Sequence, residues 1–214
     1  MKIQGAIFDQ DGLLFDTESI YQRAWLSAAA KQGIEMPQNF PRQFSGRSPK
    51  AIGAMARAVY PHLDAARFCR DAIDNAWSIQ LAGVPAAKPG LLTMLEACRR
   101  RGLRTAVASS STRRVVEHNL TAAGVREYFD AIVTGDDISR AKPAPDIFLA
   151  AAGAISLPPA ACAVFEDAPS GIDGAIAAGC RAVFIPDQTP PDESMRSRAR
   201  VYRDLGEAIA ALDD

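Results

Sequence analysis

Histidine is scarce in this chain of 214 residues, which has only His62 and His118. Neither has a partner at helical spacing, and this argues against histidine-dependent hydrolysis and most zinc chemistry. The four cysteines (Cys69, Cys98, Cys162 and Cys180) are scattered among apolar neighbours and form no CxxC pair. We therefore expect buried free thiols, and neither disulfides nor a cysteine metal site.

Long apolar runs and blocks of like charge are also lacking. The apolar runs are far shorter than the roughly 18 residues that a membrane helix needs. Met1-Lys2-Ile3 leads directly into a strand pattern and not into a signal peptide. Twenty-four basic and 25 acidic residues give a net charge of -1, and no like-charge run exceeds Arg99-Arg100-Arg101. We expect a cytoplasmic protein that binds neither nucleic acid nor membranes.

From residue 88 onward, strand and helix patterns alternate with short loops. This alternation predicts an α/β fold with a parallel sheet covered by helices on both faces. Helices are expected from 143 to 153 and at the C-terminus, the latter capped by Asp204, and residues 186–196 are expected to form a loop. The chain between residues 17 and 83 is helical throughout its pattern, and one of its helices is expected to run from Asp64, as an N-cap, to Leu81. We therefore predict a core domain of residues 1–16 and 84–214 with an inserted helical cap domain of residues 17–83.

The segment after the first apolar run, Ile3 to Phe8, contains two carboxylates, Asp9 and Asp11, separated by one residue. Burying an isolated ionised carboxylate costs roughly several kcal/mol or more. Such a pair therefore indicates a cation or a reacting group between the two carboxylates. Asp and Gly are also common turn residues, and a polar turn after an edge strand explains the pair equally well. The spacing alone leaves both interpretations open.

Polar side chains follow three later strands as well. They are Ser109, Lys142 and the pair Glu166-Asp167. The carboxyl ends of parallel strands line one crevice, so these groups are expected to converge with Asp9 and Asp11. Each also has an ordinary interpretation: a helix N-cap among the three consecutive serines that start at Ser109, a solvated surface lysine, and a turn before a helix.

Taken together, Asp-x-Asp-Gly, a serine after an apolar strand, Lys-Pro-x-Pro-Asp and Glu-Asp followed by Gly-Ile resemble the haloacid dehalogenase superfamily. The resemblance covers residues 7 to about 179, with the four motifs in order. It is nearest to the subgroup with a helical cap, which contains β-phosphoglucomutase and sugar-phosphate phosphatases. The resemblance implies a Rossmann-like core and phosphoryl transfer.

The resemblance implies a role for each motif residue. Asp9 is the expected nucleophile, which forms an aspartyl phosphate, and Asp11 is the expected general acid and base. Ser109 is expected to donate a hydrogen bond to a phosphoryl oxygen, and Lys142 to neutralise charge on the transferring group. The implied cofactor is Mg2+, which would be bound by Asp9, the backbone carbonyl of Asp11, Asp167 and, directly or through water, Glu166.

Asp11 argues against dehalogenation, because a departing halide needs no proton. A phosphatase acting on a small phosphorylated metabolite is the main hypothesis, and a β-phosphoglucomutase-like mutase is the alternative. Such mutases typically carry a histidine where this chain has Tyr21.

The chain also has Ala141 where relatives often have glycine, for which we expect a small backbone shift at most. A monomer or weak homo-oligomer is expected. The residues expected to contact substrate are Thr17, Glu18, Tyr21, Gly46, Arg47, Lys50 and Ser110.

Two other classes of protein fit the pattern less well. A dinucleotide-binding module needs a glycine-rich turn after the first strand, where this chain has the negatively charged Asp9-Gln10-Asp11-Gly12. A non-catalytic phosphoacceptor resembling a receiver domain also uses an aspartate, a lysine and a hydroxyl, but it has no helical insertion after the first strand.

Overall fold

The computed structural model describes residues 2–44, 47, 49–188 and 190–213. The chain forms two compact units, one of Met1–Asp16 with Pro85–Asp214 and the other of Thr17–Val84. The first unit contains the sheet, and the elements of the second are helical. These bounds lie one residue from those expected from the sequence, and the role of the second unit as a cap stays a prediction.

The first unit is built on a parallel sheet of six strands. The strands are β1 Gly5–Phe8, β2 Arg104–Ser109, β3 Ala131–Thr134, β4 Cys162–Glu166, β5 Arg181–Phe184 and β6 Arg200–Val201. Their order across the sheet is β3-β2-β1-β4-β5-β6. The central strand β1 therefore has β2 on one side and β4 on the other, which is the switch point where open parallel sheets bind ligands. The predicted α/β parallel fold is confirmed.

Eight α-helices accompany these strands in the described part of the chain. They are α1 Glu18–Ala30, α2 Pro49–Val59, α3 Ala65–Leu81, α4 Leu91–Arg100, α5 Arg113–Ala122, α6 Asp146–Ala154, α7 Pro169–Ala177 and α8 Glu193–Arg198. Short 3-10 turns cover Phe40–Phe44, Arg126–Tyr128, Gly135–Asp137, Pro159–Ala161 and Glu207–Asp213.

Both faces of the sheet are buried. Successive residues of β1 face opposite sides, so Phe8 packs with residues of α4 and α5 and Ile7 packs with residues of α6 and α7. Phe8 stacks on Phe165 of the neighbouring strand, with ring centroids 4.8 Å apart. Burial on both faces explains why the central strand β1 is apolar along its whole length and does not alternate.

The second unit has its own hydrophobic core between α1 and α3. Trp25 lies at its centre, with ring centroids 5.4 Å from Phe44 and 5.1 Å from Phe68. Helix α3 begins where the sequence predicts, because the side chain of Asp64 accepts a hydrogen bond of 3.1 Å from the backbone N–H of Arg67.

The segments that lead to and from residues 17–84 lie side by side in the first unit. The backbone N–H of Asp16 donates to the carbonyl of Ala86 at 2.8 Å, and that of Lys88 donates to the carbonyl of Leu14 at 2.9 Å. An antiparallel bridge also joins Phe15 to Ala87. The chain therefore leaves the sheet unit and returns to it at adjacent points.

Three expectations from the sequence differ from the structure. Helix α6 begins at Asp146 and not at residue 143, because Ala141 to Ala144 form a turn closed by a 3.0 Å hydrogen bond. The expected loop of residues 186–196 contains the start of α8, whose N-terminus Asp192 caps by accepting from the N–H of Met195. The C-terminal element is a 3-10 helix, although Asp204 does accept from the N–H of Glu207 as expected.

All four cysteines are buried free thiols, as expected. Burial raises the pKa of Cys98 and of Cys180 to about 12, so both thiols stay protonated at neutral pH. Among the described residues, no helix combines the length and the apolar character needed to cross a membrane.

Gly90, which precedes α4, has φ = +83°, and a Cβ there would lie 2.2 Å from the backbone nitrogen of Gly206. Gly102 also has positive φ, but a Cβ there would meet nothing within 4 Å. We expect Gly102→Ala to cost about 1–2 kcal/mol in the free energy of unfolding, from backbone strain alone. Gly90→Ala should cost about 1–3 kcal/mol more, because the backbone of Gly206 must move. Urea denaturation of both variants measures the difference, and equal costs would contradict the close packing.

Candidate active site

The carboxyl ends of the central strands bring four predicted site residues to one edge of the sheet. Asp9 directly follows β1, Ser109 is the last residue of β2 and Glu166 is the last residue of β4. The backbone N–H of Asp9 donates to the carbonyl of Phe165 at 3.0 Å, which continues the β1–β4 pairing one residue beyond the strand. Lys142, from the loop after β3, reaches the same point.

The ammonium group of Lys142 joins two of the carboxylates. Its Nζ lies 2.5 Å from Oδ1 of Asp9 and 2.5 Å from Oε1 of Glu166. It also donates to the carbonyl of Ala108 at 3.1 Å and lies 5.1 Å from the ring centroid of Phe148. Lys142 is thus a buried charge with specific partners, and the interpretation as a solvated surface lysine is wrong.

The carboxylate of Glu166 is fixed from its other side by the start of α7. Its Oε2 accepts hydrogen bonds of 3.0 Å from the backbone N–H groups of Asp167 and Ala168. A helix N-terminus favours negative charge, so this contact holds Glu166 in the orientation that meets Lys142. Gly171 is required here, because a Cβ would lie 1.9 Å from Oε1 of Glu166.

Asp9, Glu166 and Asp167 each offer a carboxylate oxygen, and these oxygens lie within 4.8 Å of one another. The side chain of Asp167 packs against Gly12, where a Cβ would lie 2.3 Å from Oδ2. Three ionised carboxylates and one ammonium would leave two uncompensated negative charges in a buried place. A hard divalent cation with oxygen ligands would balance them, so these residues fit Mg2+.

The pKa values of two of these acids reflect the same crowding. Burial raises the pKa of Asp9 to about 8; the charges of Glu166 and Asp11 add to this, and Lys142 opposes it. Burial also raises the pKa of Asp167 well above its usual range, as do the neighbouring charges of Glu166, Asp9 and Asp187. A cation beside these groups would favour their ionised forms.

The carboxylate of Asp11 faces the loop after β2. Its Oδ2 accepts a hydrogen bond of 2.8 Å from the hydroxyl of Ser111 and one of 3.3 Å from that of Ser109. The hydroxyl that was expected to contact a phosphoryl group, that of Ser109, therefore donates to Asp11 in this structure. Ser110 is exposed, and the role predicted for it stays a prediction.

The loop that carries Lys142 is shaped by prolines. The bond between Lys142 and Pro143 is cis, and Pro145 directly precedes α6. Ala141 has an ordinary negative φ, since Ser156 is the one non-glycine residue with positive φ in the described part of the chain. The backbone here thus does not require the glycine that relatives often carry.

The residues of the helical unit that are expected to contact substrate differ in their burial and in their position along the chain. Thr17 is buried directly before α1, and Glu18 and Tyr21 lie in its first turn and are half-buried. Arg47 and Lys50 are exposed, and the guanidinium of Arg47 donates to the carbonyl of Gln43 at 2.9 Å. Gly46 lies outside the described residues. The contact of these residues with substrate stays a prediction.

Sequence reasoning missed three contributors to this site. Ser111 was only one of three candidate serines, and Gly171 was noted only as part of a motif. The ion pair between Lys88 and Asp187, at 2.7 Å, was not anticipated because the two residues are 99 positions apart. The Pro-Asp after β5 is a strand-end carboxylate of the kind already used to identify Glu166, and that was the available signal for Asp187.

The chain is similar to known proteins along most of its length. The family model described as haloacid dehalogenase-like hydrolase matches residues 3–179. The chain is 33% identical over 182 residues to fructose-1-phosphate phosphatase YqaB of Escherichia coli, covering 85% of this chain and 95% of that protein. It is 35% identical over 191 residues to SUPPRESSOR OF QUENCHING 1 of Arabidopsis thaliana, covering 86% of this chain but only 18% of that protein.

A crystal structure of CbbY from Rhodobacter sphaeroides in complex with phosphate is similar over 99% of this chain and 100% of that one. Its TM-score is 0.80 at 28% identity. The family model spans well over half of the chain and includes the motif residues at the ends of β1, β2 and β4 and in the loop after β3. The chain therefore belongs to the haloacid dehalogenase-like hydrolases.

Proposed function

We propose that this protein is a magnesium-dependent phosphatase that hydrolyses a small sugar phosphate through an aspartyl phosphate on Asp9. The observation that carries the proposal is the group formed by the buried Asp9, Glu166 and Lys142 side chains and the half-buried Asp167 at the switch point of the sheet. Sugar phosphates are the proposed substrate class because a relative that the chain covers almost completely is named as a fructose-1-phosphate phosphatase.

The first step would be attack of an Asp9 carboxylate oxygen on phosphorus. The new bond joins that oxygen to phosphorus, and the bond from phosphorus to the sugar oxygen breaks. Asp11 would give its proton to the departing sugar oxygen, so that a neutral alcohol leaves. Lys142, 2.5 Å from Oδ1 of Asp9, would hold the carboxylate in place and reduce the repulsion between it and an anionic phosphate.

The second step would release phosphate. Asp11, now ionised, would take a proton from water while the water oxygen attacks phosphorus, and the bond to Asp9 breaks with inorganic phosphate as the product. Mg2+ bound by Asp9, Asp167 and the backbone carbonyl of Asp11, with Glu166 directly or through water, would supply Lewis-acid stabilisation of the phosphoryl oxygens.

Replacing the nucleophile tests the covalent step. Asp9→Asn should lower phosphate release from fructose 1-phosphate by about a thousandfold or more, because an amide is a far weaker nucleophile than a carboxylate. Asp173→Asn is the matched control, since Asp173 is an exposed residue that pairs with Arg198 on the surface. The control should keep turnover within about twofold of the parent. Substantial turnover by Asp9→Asn would falsify the assignment.

The metal site can be tested by thermal unfolding without turnover. Millimolar Mg2+ should raise the melting temperature by roughly a few degrees, because the ion binds the folded state alone. Asp167→Asn should remove most of this rise, whereas Glu35→Gln, an exposed change in the helical unit, should preserve it. An unchanged Mg2+ effect in Asp167→Asn would rule out this ligand set.

The stability of the metal-free protein, measured by thermal unfolding in the presence of a chelator, has a predicted pH dependence. The pKa of Asp9 is raised from 3.8 to about 8, so the folded state holds more protons than the unfolded state between these values. The free energy of unfolding then falls as pH rises through this window. Mg2+ binds the ionised form of Asp9, so the stabilisation by Mg2+ should be larger near about pH 8 than near about pH 5. A Mg2+ effect that shrinks as pH rises would contradict the raised pKa.

Product analysis separates the phosphatase from the mutase alternative. With β-glucose 1-phosphate as substrate, we expect inorganic phosphate to accumulate faster than glucose 6-phosphate, since Tyr21 stands where mutases of this kind typically have histidine. Chromatographic separation of the sugar phosphates, with a parallel phosphate assay, measures both products. Faster formation of the 6-phosphate would favour the mutase.

A further inference from the structure

Three consecutive serines, at the end of β2 and in the loop that follows it, have different surroundings. Ser109 and Ser111 are buried, with 0% and 5% of their surface exposed, whereas Ser110 is exposed. The backbone N–H of Ser111 donates to the hydroxyl oxygen of Ser109 at 3.1 Å, which fixes the Ser109 hydroxyl on one side of the loop. That side faces Asp11.

Both hydroxyls converge on one oxygen of the Asp11 carboxylate. Ser111 donates to Oδ2 at 2.8 Å and Ser109 donates to the same atom at 3.3 Å. The other oxygen, Oδ1, is buried and has no hydrogen-bond partner among the residues that the structure describes. The two oxygens of this carboxylate therefore have different environments.

This difference has a chemical consequence. An oxygen that already accepts hydrogen bonds from two hydroxyl groups is a poor place for a further proton, so the oxygen of Asp11 that can exchange a proton is Oδ1. The free oxygen is then the one that gives and takes the proton, and the paired oxygen fixes the plane of the carboxyl group.

We infer that Ser111 is a positioning residue for Asp11, holding its Oδ2 so that proton transfer runs through Oδ1. This inference rests on the proposed function, because it assumes that Asp11 is the general acid of phosphoryl transfer. The shorter of the two contacts comes from Ser111, so Ser111 and not Ser109 supplies the main restraint.

Neighbouring segments keep the loop in this position. The backbone N–H of Gly135, directly after β3, donates to the carbonyl of Ser111 at 3.2 Å. A Cβ on Gly135 would lie 2.6 Å from the carbonyl oxygen of Ser110, so the two loops are in close backbone contact. The backbone that carries the serine hydroxyls is thus held in place by its contact with Gly135, as a positioning role requires.

The experiment is the dependence of kcat/KM on the leaving group, measured with a series from phenyl phosphate to p-nitrophenyl phosphate. kcat/KM reports the steps up to departure of the leaving group, and general acid assistance matters most for a poor leaving group. Ser111→Ala should lower kcat/KM by about tenfold or more for phenyl phosphate and by less than about threefold for p-nitrophenyl phosphate. Its plot of log kcat/KM against leaving-group pKa should be steeper than that of the parent.

Thr112→Val is the matched control. Thr112 lies in the same loop, its side chain makes no capping hydrogen bond to α5, and valine keeps its shape. We expect the parent slope for this variant. Ser111→Thr keeps a hydroxyl and should return the slope toward that of the parent.

Each outcome decides the inference. Equal losses across the series for Ser111→Ala, or no loss at all, would overturn it, because either result shows that Ser111 does not act through the general acid. If Ser111→Ala does not fold, Ser111→Cys decides, because its thiol keeps the size of the side chain but donates a hydrogen bond only weakly: a slope steeper than that of the parent supports the inference and a parent-like slope overturns it. A parent enzyme that releases no phosphate from any member of the series would instead count against the proposed function.

Discussion

The site depends on the contact of one ammonium group with two carboxylates. Lys142 lies 2.5 Å from both Asp9 and Glu166 in a buried place, where unpaired charges of one sign would repel strongly. The sheet order brings the first carboxylate beside the second, and the N-terminus of α7 holds the second. Gly171 leaves room for this arrangement, since a side chain there would displace Glu166 from the lysine.

Asp9 and Asp11, which are separated by one residue, have carboxylates in different environments. Asp9 faces Lys142 and the acidic cluster, whereas Asp11 faces two serine hydroxyls. Such differences in surroundings are how one fold assigns separate roles to two chemically identical groups. The unequal partners support a nucleophile at Asp9 and a proton carrier at Asp11.

The convergence of strand-end residues was predictable from the sequence, because it follows from the geometry of parallel strands. The parallel sheet and the start of α3 at Asp64 were predictable for similar local reasons. The contact of Ser111 with Asp11 could not be predicted from sequence, since it depends on how the loop packs on Gly135. Helix α8 was missed because the prolines before it indicate a loop, and its six residues are too few for a clear period.

The paired linkers beside Leu14 and Ala86 have a consequence for how this fold can change. Because the chain departs from the sheet and rejoins it at neighbouring positions, the sheet needs only a short connection between residues 16 and 85. The entropy of closing a loop grows slowly with its length, so insertions of very different size are tolerated at such a point. The helical segment is in this sense a module whose length the sheet unit does not fix.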